Sequence, residues 1–184
     1  MVEELRYLVL AAQREGARAL ADVLRPLGLT PAQAEVLTVV RTASRALSVR
    51  EIGERLVCET GSPSRLLASL VGAGLVDGAR DPADGRITRL SLTATGRRVA
   101  AQAHAAEQDF HRGLAAGLPQ GQALDVVVEF LRELVATSPS GRALSRRREQ
   151  VDRAAGAGTP DRDGDRRRDR STPEARPPVG GDSR

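Results

Sequence analysis

Apolar residues along this chain fall first into helical steps, then into alternation, then back into helical steps. Between residues 2 and 25, Leu5, Leu8, Val9, Ala12, Ala19, Leu20, Val23 and Leu24 recur at intervals of three and four. That spacing predicts one amphipathic helix ending near Pro26 and Gly28. A stripe this long, ahead of any compact unit, needs a partner surface to cover it. Three further helices mark their own starts. Thr30-Pro31-Ala32-Gln33 is a capping box with proline at the first helical position, and predicts a helix to about Thr42 that buries Ala34, Leu37 and Val40. Ser48-Val49-Arg50-Glu51 is a second capping box, opening a short helix with Ile52 and Leu56 one turn apart. Ser62-Pro63 repeats the cap-then-proline pattern ahead of the stripe Leu66, Leu67, Leu70 and Val71, and Gly72-Ala73-Gly74 is a glycine-rich stop. Two short helices joined by a tight link at Val57–Gly61 make a helix-turn-helix candidate.

The period then changes. Leu75–Ala79 and Ile87–Leu92 read as strands flanking Arg80-Asp81-Pro82-Ala83-Asp84-Gly85-Arg86, with Asp84-Gly85 at the tip. Thr88, Leu90 and Leu92 share one face, and Ile87, Arg89 and Ser91 the other. A hairpin placed directly after a helix-turn-helix is a wing. Thr93 can cap a long helix from about Ala94 to Gly117, with Val99, Ala103, Ala106, Phe110 and Leu114 facing inward. Pro119 opens a last helix carrying Leu124, Val127, Val128, Leu131, Leu134 and Val135. After Ser138-Pro139-Ser140 the apolar period stops, so the remainder, rich in Arg, Asp, Gly and Pro, is expected to be disordered. The predicted fold class is mainly α with a small β-hairpin wing. Residues 1–28 are expected to form an N-terminal helix, 29–98 a winged helix-turn-helix, 99–138 C-terminal helices, and 139–184 a disordered tail.

Composition refines this picture. Hydrophobic residues make up 40% of the 184 but aromatics only 2%, so the core must be built from Leu, Val and Ala, which suits closely spaced helices. All 28 basic residues are arginine. The net charge of +4 resides in the segment from Ser140 onward, which holds twelve arginines against eight acids. Residues 1–139 are neutral overall yet uneven, since 41–98 carry ten arginines against six acids between more acidic flanks. A basic middle between acidic helices is the footprint of a nucleic-acid module. One cysteine, Cys58, cannot form a disulfide within the chain and agrees with a reducing compartment. No signal peptide or membrane-spanning run is evident, so a cytoplasmic protein without membrane contact is expected. There is no phosphate loop, dinucleotide fingerprint, strong metal motif or histidine in a nucleophilic setting, so neither an enzyme nor a cofactor is expected.

The segments Leu29-Thr30-Pro31-Ala32-Gln33, Gly61-Ser62-Pro63-Ser64-Arg65-Leu66-Leu67, Gly74-Leu75-Val76, Asp81-Pro82-Ala83-Asp84-Gly85-Arg86 and Leu90-Ser91-Leu92-Thr93-Ala94-Thr95-Gly96, in this order and spacing, resemble the MarR family of bacterial transcriptional regulators. Motifs carry the resemblance over about residues 29–98, and helix order extends it over 1–138. It implies a homodimer held by terminal helices of both chains, with 1–28 as the N-terminal dimerisation helix and 99–138 as the C-terminal dimerisation helices, and repression at pseudo-palindromic double-stranded DNA. It also implies relief by a small molecule or oxidant. In the family the Asp-x-Arg tip sends its arginine to the minor groove, and the matching residue here is Arg86, with Asp84 bracing the loop or holding Arg86. The residues themselves agree. With the leucines turned inward, the helix at 62–73 presents Ser64, Arg65, Ala68 and Ser69, small enough to sit deep in the major groove while Arg65 reaches a guanine edge or a phosphate. Ser62 and the first-turn N–H groups are placed to meet a phosphate. Arg89, Arg50, Arg97 and Arg98 are secondary candidates for backbone contacts. A winged helix that binds protein instead of DNA is the alternative, and would call for an apolar recognition face.

The effector stays unidentified. Cys58 reads as a small packed residue, although Arg55 and a helix N-terminus nearby could lower its pKa. His104 and His111, seven residues apart with Glu107 between them, read as ordinary helix residues and not as a metal site. Tyr7, Phe110 and Phe130 are the only aromatics, so a strongly aromatic ligand pocket is not expected. The triplets Arg146-Arg147-Arg148 and Arg166-Arg167-Arg168 alternate with acids and read as a solvated tail, with added non-specific DNA affinity as the functional option.

Overall fold

The computed structural model describes residues 1–57, 62–118 and 121–156. The elements run α1 (Val2–Leu24), a 3-10 turn (Arg25–Leu27), α2 (Pro31–Thr42), β1 (Leu47–Ser48), α3 (Val49–Gly53), α4 (Pro63–Gly72), β2 (Val76–Arg80), β3 (Thr88–Leu92), α5 (Ala94–Ala115), α6 (Gln122–Val135) and α7 (Pro139–Gly156). The three strands form one antiparallel sheet in the order β1-β3-β2, with Leu47 opposite Leu90 and Val76 opposite Leu92. β1 has no counterpart in the periodicity. It is two residues long, too short to show alternation.

Capping chemistry sets the helix starts. Thr30 and Ser48 each accept a hydrogen bond from the backbone N–H three residues on, and Gln33 and Glu51 return the bond to the cap residue's own N–H. Thr93 caps α5 by accepting from the N–H of Gly96. Ser62 precedes Pro63 as expected, but its side chain makes no cap bond. Gly74 ends α4 with φ of 67°, in the left-handed region that favours glycine.

One core holds this lobe together. Leu24, Val36, Leu37, Ile52, Leu70 and Val76 are almost wholly buried, joined by Leu67, Leu90, Leu92, Ala100 and Ala103. Gly96 makes the closest packing possible, because a Cβ there would lie 1.8 Å from the carbonyl oxygen of Leu75. Two expected core positions are not filled as predicted. Val71 is exposed, since the α4 stripe closes through Leu67 and Leu70 with Leu66 half-buried. Leu114 is also exposed, as α5 runs past the lobe.

The expected disordered tail from residue 139 is overturned over 139–156. These residues form α7, whose Ala143 and Gln150 are buried against the helix-turn-helix. The docked face is polar, so no apolar period announces it. Residues 157–184, including Arg166-Arg167-Arg168, lie outside the described residues, as do Cys58 and Pro119.

Candidate nucleic-acid interface

α4 is pinned by Leu67 and Leu70, which leaves Ser64, Arg65, Ala68 and Ser69 on its exposed side. Among the described residues, Arg65 has no ion pair or side-chain hydrogen bond, so its guanidinium is available to a ligand. Ser64 is likewise exposed, and Ser62 is half-buried at the helix start, where its carbonyl accepts from the N–H groups of Arg65 and Leu66. Ser69 is already used. Its hydroxyl donates to the carbonyl of Leu66 at 2.7 Å and accepts from the Gln33 amide at 3.2 Å, tying α4 to the start of α2.

The hairpin loop is built around Asp81, a residue the sequence reading did not single out. Its carboxylate accepts from the N–H groups of Ala83 and Asp84 at 2.8 and 3.2 Å and from Arg89 Nε at 2.5 Å. The Arg89 guanidinium beside it holds the Asp81 carboxyl below its ordinary pKa, with the backbone N–H bonds adding to the effect. Asp84 accepts from the backbone N–H of Arg86 at 3.0 Å, so it braces the loop through the main chain and does not hold the guanidinium. Arg86 is exposed, and its guanidinium makes no ion pair among the described residues. Arg80 spans the loop, donating to the carbonyl of Gly85 at 2.6 Å.

Arg89 is placed differently from Arg65 and Arg86. Half-buried, it pairs with Asp81 of the wing and, at 2.6 Å, with Glu51 of α3. The same Glu51 pairs with Arg45 and closes the Ser48 capping box. The Arg45 hydrogen bond is the largest influence on the Glu51 carboxyl, which is lowered to about 2. Arg89 is therefore a positioning residue that fastens the wing to α3. The Asp81 and Glu51 partners lie 8 and 38 positions from it in sequence, which is why strand alternation alone could not reveal this role. Among the weaker candidates, Arg50 pairs with Glu54, Arg97 donates to the carbonyl of Leu92, and Arg98 is exposed.

Two short helices followed by a hairpin, whose β3 also pairs with the β1 that precedes them, define a winged-helix DNA-binding fold. Residues 29–96 match the family described as the winged helix DNA-binding domain. The multiple antibiotic resistance protein MarR of Escherichia coli is 32% identical over 115 residues, 62% of this chain and 79% of that protein. A cysteine-to-serine mutant of Escherichia coli MarR complexed with operator DNA superimposes with a TM-score of 0.62 at 28% identity, covering 73% of this chain and 94% of that one. The transcriptional repressor CouR bound to a 23-mer DNA duplex gives 0.63 at 27% identity, covering 71% and 92%. The chain belongs to the MarR family. It is accordingly a transcriptional regulator and not an enzyme. Among the described residues no helix is long and apolar enough to cross a membrane.

Proposed function

We propose that this chain acts as a cytoplasmic homodimer on pseudo-palindromic double-stranded DNA, as a repressor released by a small-molecule or oxidant signal. α4 enters the major groove with Arg65 directed to a base edge or phosphate, while Ser62 and Ser64 meet the backbone near the helix start. Arg86, at the braced hairpin, reaches the adjacent minor groove. The observation that carries this reading is the pairing pattern of the arginines. Arg45, Arg50 and Arg89 are matched to carboxylates and Arg55, Arg80 and Arg97 to backbone carbonyls, whereas Arg65 on α4 and Arg86 on the hairpin, like Arg41 and Arg98, stand exposed without an acidic partner among the described residues. An arginine with its donors free is suited to phosphate and guanine acceptors. The polar face of α4 also argues against a protein-binding winged helix, which would present apolar residues there.

Support for the dimer comes from the end helices. Tyr7 and Leu8 of α1 and Val127, Phe130 and Leu134 of α6 are between 44% and 64% exposed in the single chain. An apolar surface of this kind is covered in a stable protein. Gel-shift titration on the DNA flanking the protein's own gene tests the assignment. Arg65→Ala should weaken binding by roughly tenfold if Arg65 makes a bidentate base contact. Arg86→Ala should weaken it with a smaller loss of sequence preference. Undiminished affinity in both variants would defeat the docking.

A further inference from the structure

We infer that α7 is a strut that fixes the attitude of the reading helix α4, with Arg147 and Gln150 as its positioning residues. The inference rests on the reading of α4 as the DNA-facing helix. It starts from Glu35, a carboxylate on α2 in a residue only 7% exposed. One of its oxygens accepts the backbone N–H of Val57 at 2.8 Å, at the start of the link that leads from α3 into α4. The same oxygen accepts from Arg147 of α7 at 2.5 Å. A carboxylate this buried is better tolerated with a cation beside it, and an arginine 112 positions away supplies one to the clamp on Val57.

Gln150, buried one turn further along α7, makes the second attachment. Its amide donates to the Val39 carbonyl at 2.8 Å and the Thr42 hydroxyl at 2.6 Å, while its oxygen accepts from Arg55 Nε at 2.9 Å. Arg55 in turn donates to the Glu51 carbonyl at 2.5 Å, at the end of α3. Arg146 adds a bond to the Glu54 carbonyl at 3.3 Å. The backbone from Glu51 to Val57 is thus gripped from α7 directly or through one intermediary. The other end of α7 is equally tight. A Cβ on Gly141 would lie 2.0 Å from the carbonyl oxygen of Val135, so α7 is locked to the end of α6. α6 carries the exposed apolar stripe, so α7 links the proposed dimer surface to the helix-turn-helix by a route independent of α5.

The test uses the full chain on the DNA flanking its own gene, read over a range of salt concentrations, with amide hydrogen exchange at Val57. Arg147→Gln takes the α7 cation away from Glu35, and should weaken DNA binding on the order of tenfold while leaving the salt slope unchanged. Protection of the Val57 amide should fall in parallel. Adding Glu35→Gln removes the carboxylate that Arg147 faced but keeps an oxygen for Val57, so the double variant should recover most of both losses. Arg147→Lys should recover part of them. Wild-type affinity and wild-type Val57 protection in Arg147→Gln would overturn the inference. So would a salt slope reduced by about one with no recovery in the double variant, which would make Arg147 a direct phosphate contact. If the unaltered protein ignores DNA, the reading of α4 falls, and the strut is still judged by Val57 exchange. If Arg147→Gln does not fold, Arg147→Lys and the double variant decide.

Discussion

The winged lobe and the end helices treat apolar surface in opposite ways. In the lobe, Val36, Leu37, Ile52 and Leu70 lose essentially all solvent contact within one chain. In α1 and α6, residues of the same kind remain open, with Leu8 at 60% and Leu134 at 64% exposed. Composition does not separate the two regions, because both are rich in leucine and valine. What differs is the number of neighbours the topology supplies. α2 packs against α1, α4, α5 and α7 together, whereas α6 packs chiefly against α7. A stripe at helical spacing therefore shows that a face will be covered, but not whether the cover comes from the same chain.

The sharpest way to break this contrast is to attack the lobe at its tightest point. Gly96→Val would force a side chain into the carbonyl of Leu75. It should cost at least about 3 kcal/mol, because backbone on both sides has to move. Leu37→Ala should cost about 3 kcal/mol through loss of burial and the cavity left behind. Urea unfolding followed by circular dichroism checks both, and a cost under about 1 kcal/mol for either would show that the lobe is less closely packed than described. The end helices should respond differently. Val127→Asp together with Leu134→Asp should halve the particle mass in light scattering while the secondary structure of the lobe persists. A mass unaffected by these changes would mean that α6 is not the covered face.

The smallest effect concerns the join between α3 and the wing. The Glu51 carboxyl lies at about 2 in the folded chain against an ordinary 4.5. A depressed carboxyl stabilises the fold fully above the ordinary value, and that contribution drains as the pH falls from about 4.5 toward 2. The midpoint of urea unfolding should therefore drop more steeply over this window in the natural protein than in Glu51→Gln. Equal slopes would show that the Arg45–Glu51–Arg89 cluster does not contribute.

Much of this architecture was legible from residue order. The capping boxes at Thr30 and Ser48, the Thr93 cap and the alternation Thr88, Leu90, Leu92 are local signals, and each element forms where those residues put it. Arg65 and Arg86 stand exposed where the motif placed them. The features that escaped are those made by long-range polar contacts. α7 escapes hydrophobic spacing, which is blind to a helix docked by Arg147 and Gln150, with Ala143 as its one buried apolar side chain among the described residues. Arg89 and Asp81 look like ordinary surface charges until folding brings Glu51 to them. Val71 fits the helical stripe by spacing, yet it lies at the end of α4 beyond the reach of the core.

Arg89 bridges a carboxylate of the hairpin and a carboxylate of α3. That rivet ties the hairpin to α3, so tilting one against the other costs both ion pairs. A displacement of α3 is handed on to the hairpin through a single guanidinium.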